Sequence, residues 1–136
     1  MAQVVQDENV MNILMLQEEG KKLEEHLNAL NQQAVELITL QEHLNDFHET
    51  KEKEFLAHFG KGIFFKSEIK EKEFFVNIGA GIVLKKSHQE ASEIINRQVL
   101  QIEKIKEDLI GQIEMINTRL VEIVEKVQRE REEKGD

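Results

Sequence analysis

Cysteine, proline, tryptophan and tyrosine are all absent from this 136-residue chain. Without cysteine there are no disulfide staples and no thiolate metal sites, a usage that fits a reducing compartment. No apolar run approaches the roughly 20 residues a membrane span needs, and the first residues lack a basic region followed by an apolar one. The expectation is therefore a soluble, cytoplasmic protein with no membrane partner. Positive charge is in deficit, with 18 Lys and Arg against 27 Asp and Glu and a formal net charge of -9. Nucleic-acid affinity comes largely from lysine and arginine neutralising phosphates, so no nucleic-acid partner is expected either. Glycine and phenylalanine, at seven each, are scarce, and most of both fall between positions 55 and 86.

That stretch contains an internal repeat. Phe55-Leu56-Ala57-His58-Phe59-Gly60-Lys61-Gly62-Ile63-Phe64-Phe65-Lys66 aligns at an offset of 19 residues with Phe74-Phe75-Val76-Asn77-Ile78-Gly79-Ala80-Gly81-Ile82-Val83-Leu84-Lys85. Each copy has an apolar run, a Gly-x-Gly and a second apolar run closing on lysine, the pattern of a β-hairpin. Tight hairpin turns need positive φ, so Gly60, Gly62, Gly79 and Gly81 are assigned to the turns. Alternation along the strands puts apolar side chains on both faces. Four short strands cannot cover two apolar faces and their own open edges, so other chains are expected to complete the sheet.

On either side the composition shifts to Glu, Lys, Leu, Ile and Gln without proline, which favours long helices. From about residue 7 to 53, Ile13, Leu16, Gly20, Leu23, Leu27, Leu30, Ala34, Leu37, Gln41 and Leu44 recur at alternating steps of three and four, a coiled-coil seam. About 45 residues at 1.5 Å each make this helix roughly 65 Å long. Ser87-His88-Gln89-Glu90 reads as a capping box opening a second helix that runs to about residue 132. Its seam is read as Ile95, Val99, Ile102, Ile105, Leu109, Ile113, Ile116, Leu120, Ile123 and Val127, with successive steps of four at Leu109 that would unwind the supercoil locally. Two helices of similar length joined by a compact insert run antiparallel and bring the two chain ends together. Val4, Val5, Val10, Met11, Ile13, Leu14 and Met15 are too many apolar residues for one narrow stripe, so some of them face away from the seam.

Chemical motifs are missing. Gly79-Ala80-Gly81 lacks the third glycine of a dinucleotide fingerprint, with Leu84 in its place, and the lysine of Gly60-Lys61-Gly62 is not followed by Ser or Thr as a P-loop requires. His26, His43, His48, His58 and His88 form no His-Glu-x-x-His or Glu-x-x-His unit, and Ser67, Ser87 and Ser92 lie in no nucleophile elbow. No enzyme activity, metal or cofactor is expected.

The architecture resembles the alpha-class subunit of prefoldin. The residues that carry the resemblance are Gly60-Lys61-Gly62-Ile63-Phe64-Phe65-Lys66-Ser67-Glu68-Ile69-Lys70 and Phe75-Val76-Asn77-Ile78-Gly79-Ala80-Gly81-Ile82-Val83-Leu84-Lys85-Lys86. Alpha subunits have two such hairpins and beta subunits one. Lys61 stands where alanine is usual in that family, and His58 where a proline often precedes the turn. The resemblance implies a mostly helical α+β fold in a single domain, 1–136. An N-terminal coiled-coil helix (1–53) and a C-terminal one (87–136) would form an antiparallel hairpin, with two β-hairpins (54–86) inserted between them that contribute to an inter-subunit β-barrel. It implies a hexamer of two alpha and four beta subunits that binds unfolded client proteins at its coiled-coil tips. Clients would pass to a group II chaperonin without ATP. On that basis Val4, Val5, Val10, Met11, Leu14, Met15, Ile123 and Val127 are the expected client-contact residues. Phe59, Ile63, Phe65, Phe74, Val76, Ile78, Ile82 and Leu84 are the expected oligomerisation residues. The alternatives are a structural coiled-coil scaffold and a filament-forming prefoldin relative.

Overall fold

The structure is a computed structural model that describes residues 2–134 and, for side chains, residues 7–133. Its elements in order are α1 (Ala2–Glu49), β1 (Glu54–Gly60), β2 (Ile63–Glu68), β3 (Phe74–Gly79), β4 (Ile82–Lys86) and α2 (His88–Lys134). Two long helices with two small antiparallel β-hairpins between them are the expected fold. By compactness the chain divides into two units, one formed by Met1–Ala34 with Gln101–Asp136 and the other by Val35–Leu100.

In the first unit the two helices bury a heptad seam. On α1 the inward positions are Asn9, Ile13, Leu16, Gly20, Leu23, Leu27, Leu30 and Ala34, all buried or half-buried. On α2 they are Ile102, Lys106, Leu109, Ile113, Ile116, Leu120, Ile123, Val127 and Glu130. The helices come close where glycine replaces a larger residue, since a Cβ on Gly20 would stand 3.5 Å from Cγ2 of Ile116. The most deeply buried apolar residues here are Leu30, Ala34, Ile102, Leu109 and Ile116.

The seam of α2 differs from the sequence reading at one position. Ile105 is 43% exposed, and its neighbour Lys106 takes the inward place instead. The side chain of Lys106 is only 21% exposed, and its Nζ reaches Oε1 of Glu103 at 3.3 Å. A lysine can lay its methylene stem along an apolar seam while its ammonium stays at the wet edge. With Lys106 in phase, the steps from Ile102 to Val127 alternate four and three without a break. The expected local unwinding near Leu109 therefore has no basis in the burial pattern. Asn9, also missed as a seam residue, is 7% exposed, and its amide nitrogen finds no hydrogen-bond partner among the described residues. A single polar residue in a coiled-coil core favours one register at some cost in stability.

In the second unit the facing positions of the helices turn polar toward the β-hairpins. Nε2 of Gln41 donates to Oγ of Ser92 at 2.9 Å, and Nε2 of His88 lies 2.9 Å from Oδ1 of Asn45. The last layer is a stacked pair of imidazoles, His48 and His88, with ring centroids 4.0 Å apart. Beside it Phe47 meets Phe74 edge-on at 5.8 Å, which docks the start of β3 against α1. The C-terminus of α1 is capped from the connection between the β-hairpins: Nζ of Lys72 donates to the carbonyls of His48, at 2.8 Å, and Thr50. A cation there satisfies carbonyls that have no helical partner and opposes the negative end of the helix dipole.

The start of α2 is the capping box read from sequence. Oγ of Ser87 accepts from the Glu90 N–H at 3.1 Å, and the Ser87 N–H donates to Oε1 of Glu90 at 3.3 Å. These hydrogen bonds, the backbone one first, hold the Glu90 carboxyl below its ordinary pKa. A depressed folded-state pKa means the stabilisation is present above the unfolded carboxylate pKa and is lost as pH falls through the lower folded value.

Two expectations follow. Leu109→Ala should cost about 2–5 kcal/mol in chemical denaturation and Ile105→Ala less than about 1 kcal/mol; equal costs would restore the other seam phase. Ser87→Ala, which removes the cap hydroxyl, should cost about 1 kcal/mol, whereas Glu90→Ala, which removes the carboxyl, should be less stable than the parent at neutral pH by a gap that narrows as the pH is lowered through the carboxylate range.

Candidate functional site

The β-hairpins owe their tightness to three consecutive residues of positive φ in each. The two-residue loop of the first is Lys61-Gly62, with φ of 48° and 80°, and that of the second is Ala80-Gly81, with φ of 51° and 75°. Positive φ at both loop positions gives the turn whose twist matches that of paired strands. Just before each loop the register breaks, between His58 and Gly60 and between Asn77 and Gly79. Gly60 and Gly79 sit at those bulges with φ of 149° and 113°. In the second turn, Oδ1 of Asn77 also accepts the Gly79 N–H at 2.9 Å. All four assigned glycines thus lie at or beside the turns. The left-handed conformation of Lys61 and Ala80 could not be read from residue type, since neither favours it.

Among the described residues β1 pairs only with β2, and β3 only with β4. Each strand therefore leaves one edge of backbone N–H and C=O groups without a ladder partner. On one face of the first hairpin lie Phe55, Ala57 and Phe65, paired as Phe55↔Ser67 and Ala57↔Phe65; on the other are Leu56, His58 and Phe64, with His58↔Phe64 directly opposed. Phe59, 77% exposed, meets Phe65 edge-on at 6.2 Å. Of the residues expected to mediate oligomerisation, Phe59, Ile63, Phe65, Ile78, Ile82 and Leu84 are exposed. Phe74 and Val76 are half-buried. Both line an apolar concavity of about 310 Å³ with Leu40, Leu44, Ala91 and Ile95, so their first role is to seat the second hairpin on the helices. Leu56, Phe64, Phe75 and Val83 are exposed as well and were not in the expected set.

Charge sits at the bases of the hairpins. Lys66 pairs with Glu54 at 3.5 Å and Lys85 with Glu73 at 2.6 Å. The Lys85 hydrogen bond lowers the pKa of Glu73, and Glu73 raises that of Lys85. Both pairs are in water and contribute little to stability.

A second apolar surface lies in the first unit. Val10, Met11, Leu14 and Met15 are between 52% and 65% exposed on the side of α1 turned from the seam. Ile123 and Val127, expected to join them, are half-buried in the seam. The exposed apolar residues of that part of α2 are Val121 and Val124. Val4 and Val5 lie outside the described side chains. Among the described residues there is no cluster of three or more potential metal ligands and no helix long and apolar enough to cross a membrane.

Two long helices with a buried heptad seam and two apolar β-hairpins between them define the class of the fold: a coiled-coil α+β subunit of prefoldin-like architecture. The sequence pattern of the prefoldin subunit family matches residues 16–133, and the chain belongs to that family. Prefoldins are non-enzymatic chaperones that assemble as oligomers. Among solved structures the chain is similar to the filamentous PFD from Methanocaldococcus jannaschii, determined by cryo-electron microscopy. That match has 16% identity and a TM-score of 0.50, and covers 91% of this chain and 98% of the other. No curated protein matches.

The turn geometry is testable. Ala80→Gly should stabilise the second hairpin by about 0.5–1 kcal/mol, and Gly81→Val should destabilise it by more than about 1 kcal/mol, both read by denaturation of the assembled protein.

Proposed function

We propose that this chain is an alpha-class prefoldin subunit, an ATP-independent holdase that binds non-native proteins and passes them to a group II chaperonin in the cytoplasm. In this reading the β-hairpins of two alpha subunits pair and recruit four beta subunits into a shared β-barrel. The observation that carries the reading is the pair of β-hairpins with apolar side chains on both faces and, among the described residues, no partner at their outer edges. The second Gly-x-Gly hairpin supports the alpha class.

Val10, Met11, Leu14 and Met15, with Val121 and Val124 on α2, form the client contact. Ile123 and Val127 support it from the seam. Methionine suits such a surface because its flexible, polarizable side chain fits irregular partners. A few exposed side chains bind weakly alone, but tethered copies in one assembly raise avidity by about 100-fold or more.

A second reading, a subunit whose β-hairpins propagate into a filament, is favoured by the filamentous state of the M. jannaschii structure. Pairing that closes gives a ring of fixed size, and pairing that does not close gives fibres of variable length. A purely structural scaffold is the remaining alternative.

The test uses the full chain, alone and with a beta-class partner. Phe65→Asp should shift the assembly to smaller species on a sizing column and in electron micrographs while far-ultraviolet helicity is kept. Leu14→Asn with Met15→Asn should leave assembly intact but lower suppression of light scattering by an aggregating client at least about fivefold. Unchanged suppression would favour the scaffold reading.

A further inference from the structure

The exposed apolar stripe of α1 is bracketed by carboxylates. Asp7 and Glu8 lie one turn before Met11, and Glu18 and Glu19 one turn after Leu14 and Met15; all four are exposed. Leu14 and Met15 share one open groove with Glu18, Glu19 and Lys22. Met15 and Glu19 share a second with Asn12, Leu16 and Arg119. On α2, Glu122 and Glu125 alternate with Val121 and Val124 and are exposed as well. Among the described residues none of these six carboxylates forms an ion pair, although Lys22, Arg119 and Lys126 are near in sequence or share a groove.

The bias extends beyond the stripe. Met1–Ala34 and Gln101–Asp136 together hold sixteen Asp or Glu against nine Lys or Arg, whereas Val35–Leu100 holds eleven against nine. The negative charge of the chain is thus concentrated in the unit that carries the apolar stripe.

Resting on the client-binding reading, we propose that this surface selects extended polypeptide segments in which apolar side chains are interleaved with lysine or arginine, and discriminates against equally apolar segments bearing Asp or Glu. The apolar side chains supply contact with little preference among sequences. The unpaired carboxylates around them supply the choice, because an opposite charge brought alongside is attracted and a like charge is repelled. One exposed pair changes affinity by a factor of only about 1.5–5, so the selectivity is a sum over several. Its range is set by salt, with a Debye length of about 8 Å at physiological ionic strength, roughly one and a half helical turns.

The test uses the assembled complex and three unstructured, fluorescently labelled peptides of identical apolar content, with Lys, Gln or Glu at the interleaved positions. At low salt the Lys peptide should bind about tenfold tighter than the Glu peptide, with the Gln peptide between them. At about 0.5 M salt the gap should shrink below about twofold as screening shortens the interaction. In the Glu18→Gln/Glu19→Gln variant, the Lys-to-Glu gap should narrow while affinity for the Gln peptide is unchanged; both residues are exposed, and circular dichroism checks that the helices persist. If all three peptides bind equally at low salt, the charge selection is wrong and the client-contact reading stands. If none binds, both are overturned. A full gap in the variant would overturn the assignment to Glu18 and Glu19.

Discussion

A β-hairpin two strands wide leaves a row of backbone donors and acceptors open on each side, and both β-hairpins of this chain do so while exposing phenylalanine, isoleucine and leucine. A lone two-stranded hairpin is marginally stable in water, and an open apolar edge invites further strands. Here the twist and register are fixed by paired left-handed loop residues and by a bulge next to each loop. The first strand of the second hairpin is anchored by Phe74 against Phe47 and by the apolar concavity beneath it. Among the described residues the edges are thus held in place and left unfilled.

The helices set the conditions for that arrangement. Their seam is apolar through most of its length, and it turns to Gln41, Ser92, Asn45, His48 and His88 where it approaches the β-hairpins. Hydrogen bonds demand closer alignment than aliphatic contact, so these layers fix the ends of both helices beside the hairpin roots. Lys72 closes α1 from the loop side and the Ser87–Glu90 box opens α2, so both junctions are tied by side-chain bonds to backbone. In the first unit, aliphatic packing leaves one side of each helix free. The sequence fills those sides with valine, leucine and methionine set among carboxylates.

Much of this was legible in residue spacing. The steps of three and four placed every seam residue of α1 from Ile13 to Leu44, and the Gly-x-Gly repeat placed both turns, because each pattern reflects a strict backbone period or a conformation few residues tolerate. Reading failed where a side chain acts against its class. Lys106 hides its stem in the seam and displaces Ile105, and Asn9 enters it although polar. Ile123 and Val127 were read both as seam residues and as contact residues; they are half-buried in the seam, while Val121 and Val124 beside them are exposed. The family resemblance was legible in the two β-hairpins, but the division of exposed and half-buried residues within them was not, since Phe74 and Phe65 look alike until a helix is placed beneath one of them.

The central claim, that the outer strand edges are paired between molecules, is tested most directly by amide hydrogen exchange in the β-hairpins across a concentration series. Each strand has N–H groups without a partner among the described residues, and these exchange fast in an isolated subunit. The account predicts that they are protected in the concentrated protein, with a beta-class partner if one is needed, and that protection is lost on dilution to monomers. Fast exchange at every concentration, with and without that partner, would contradict it.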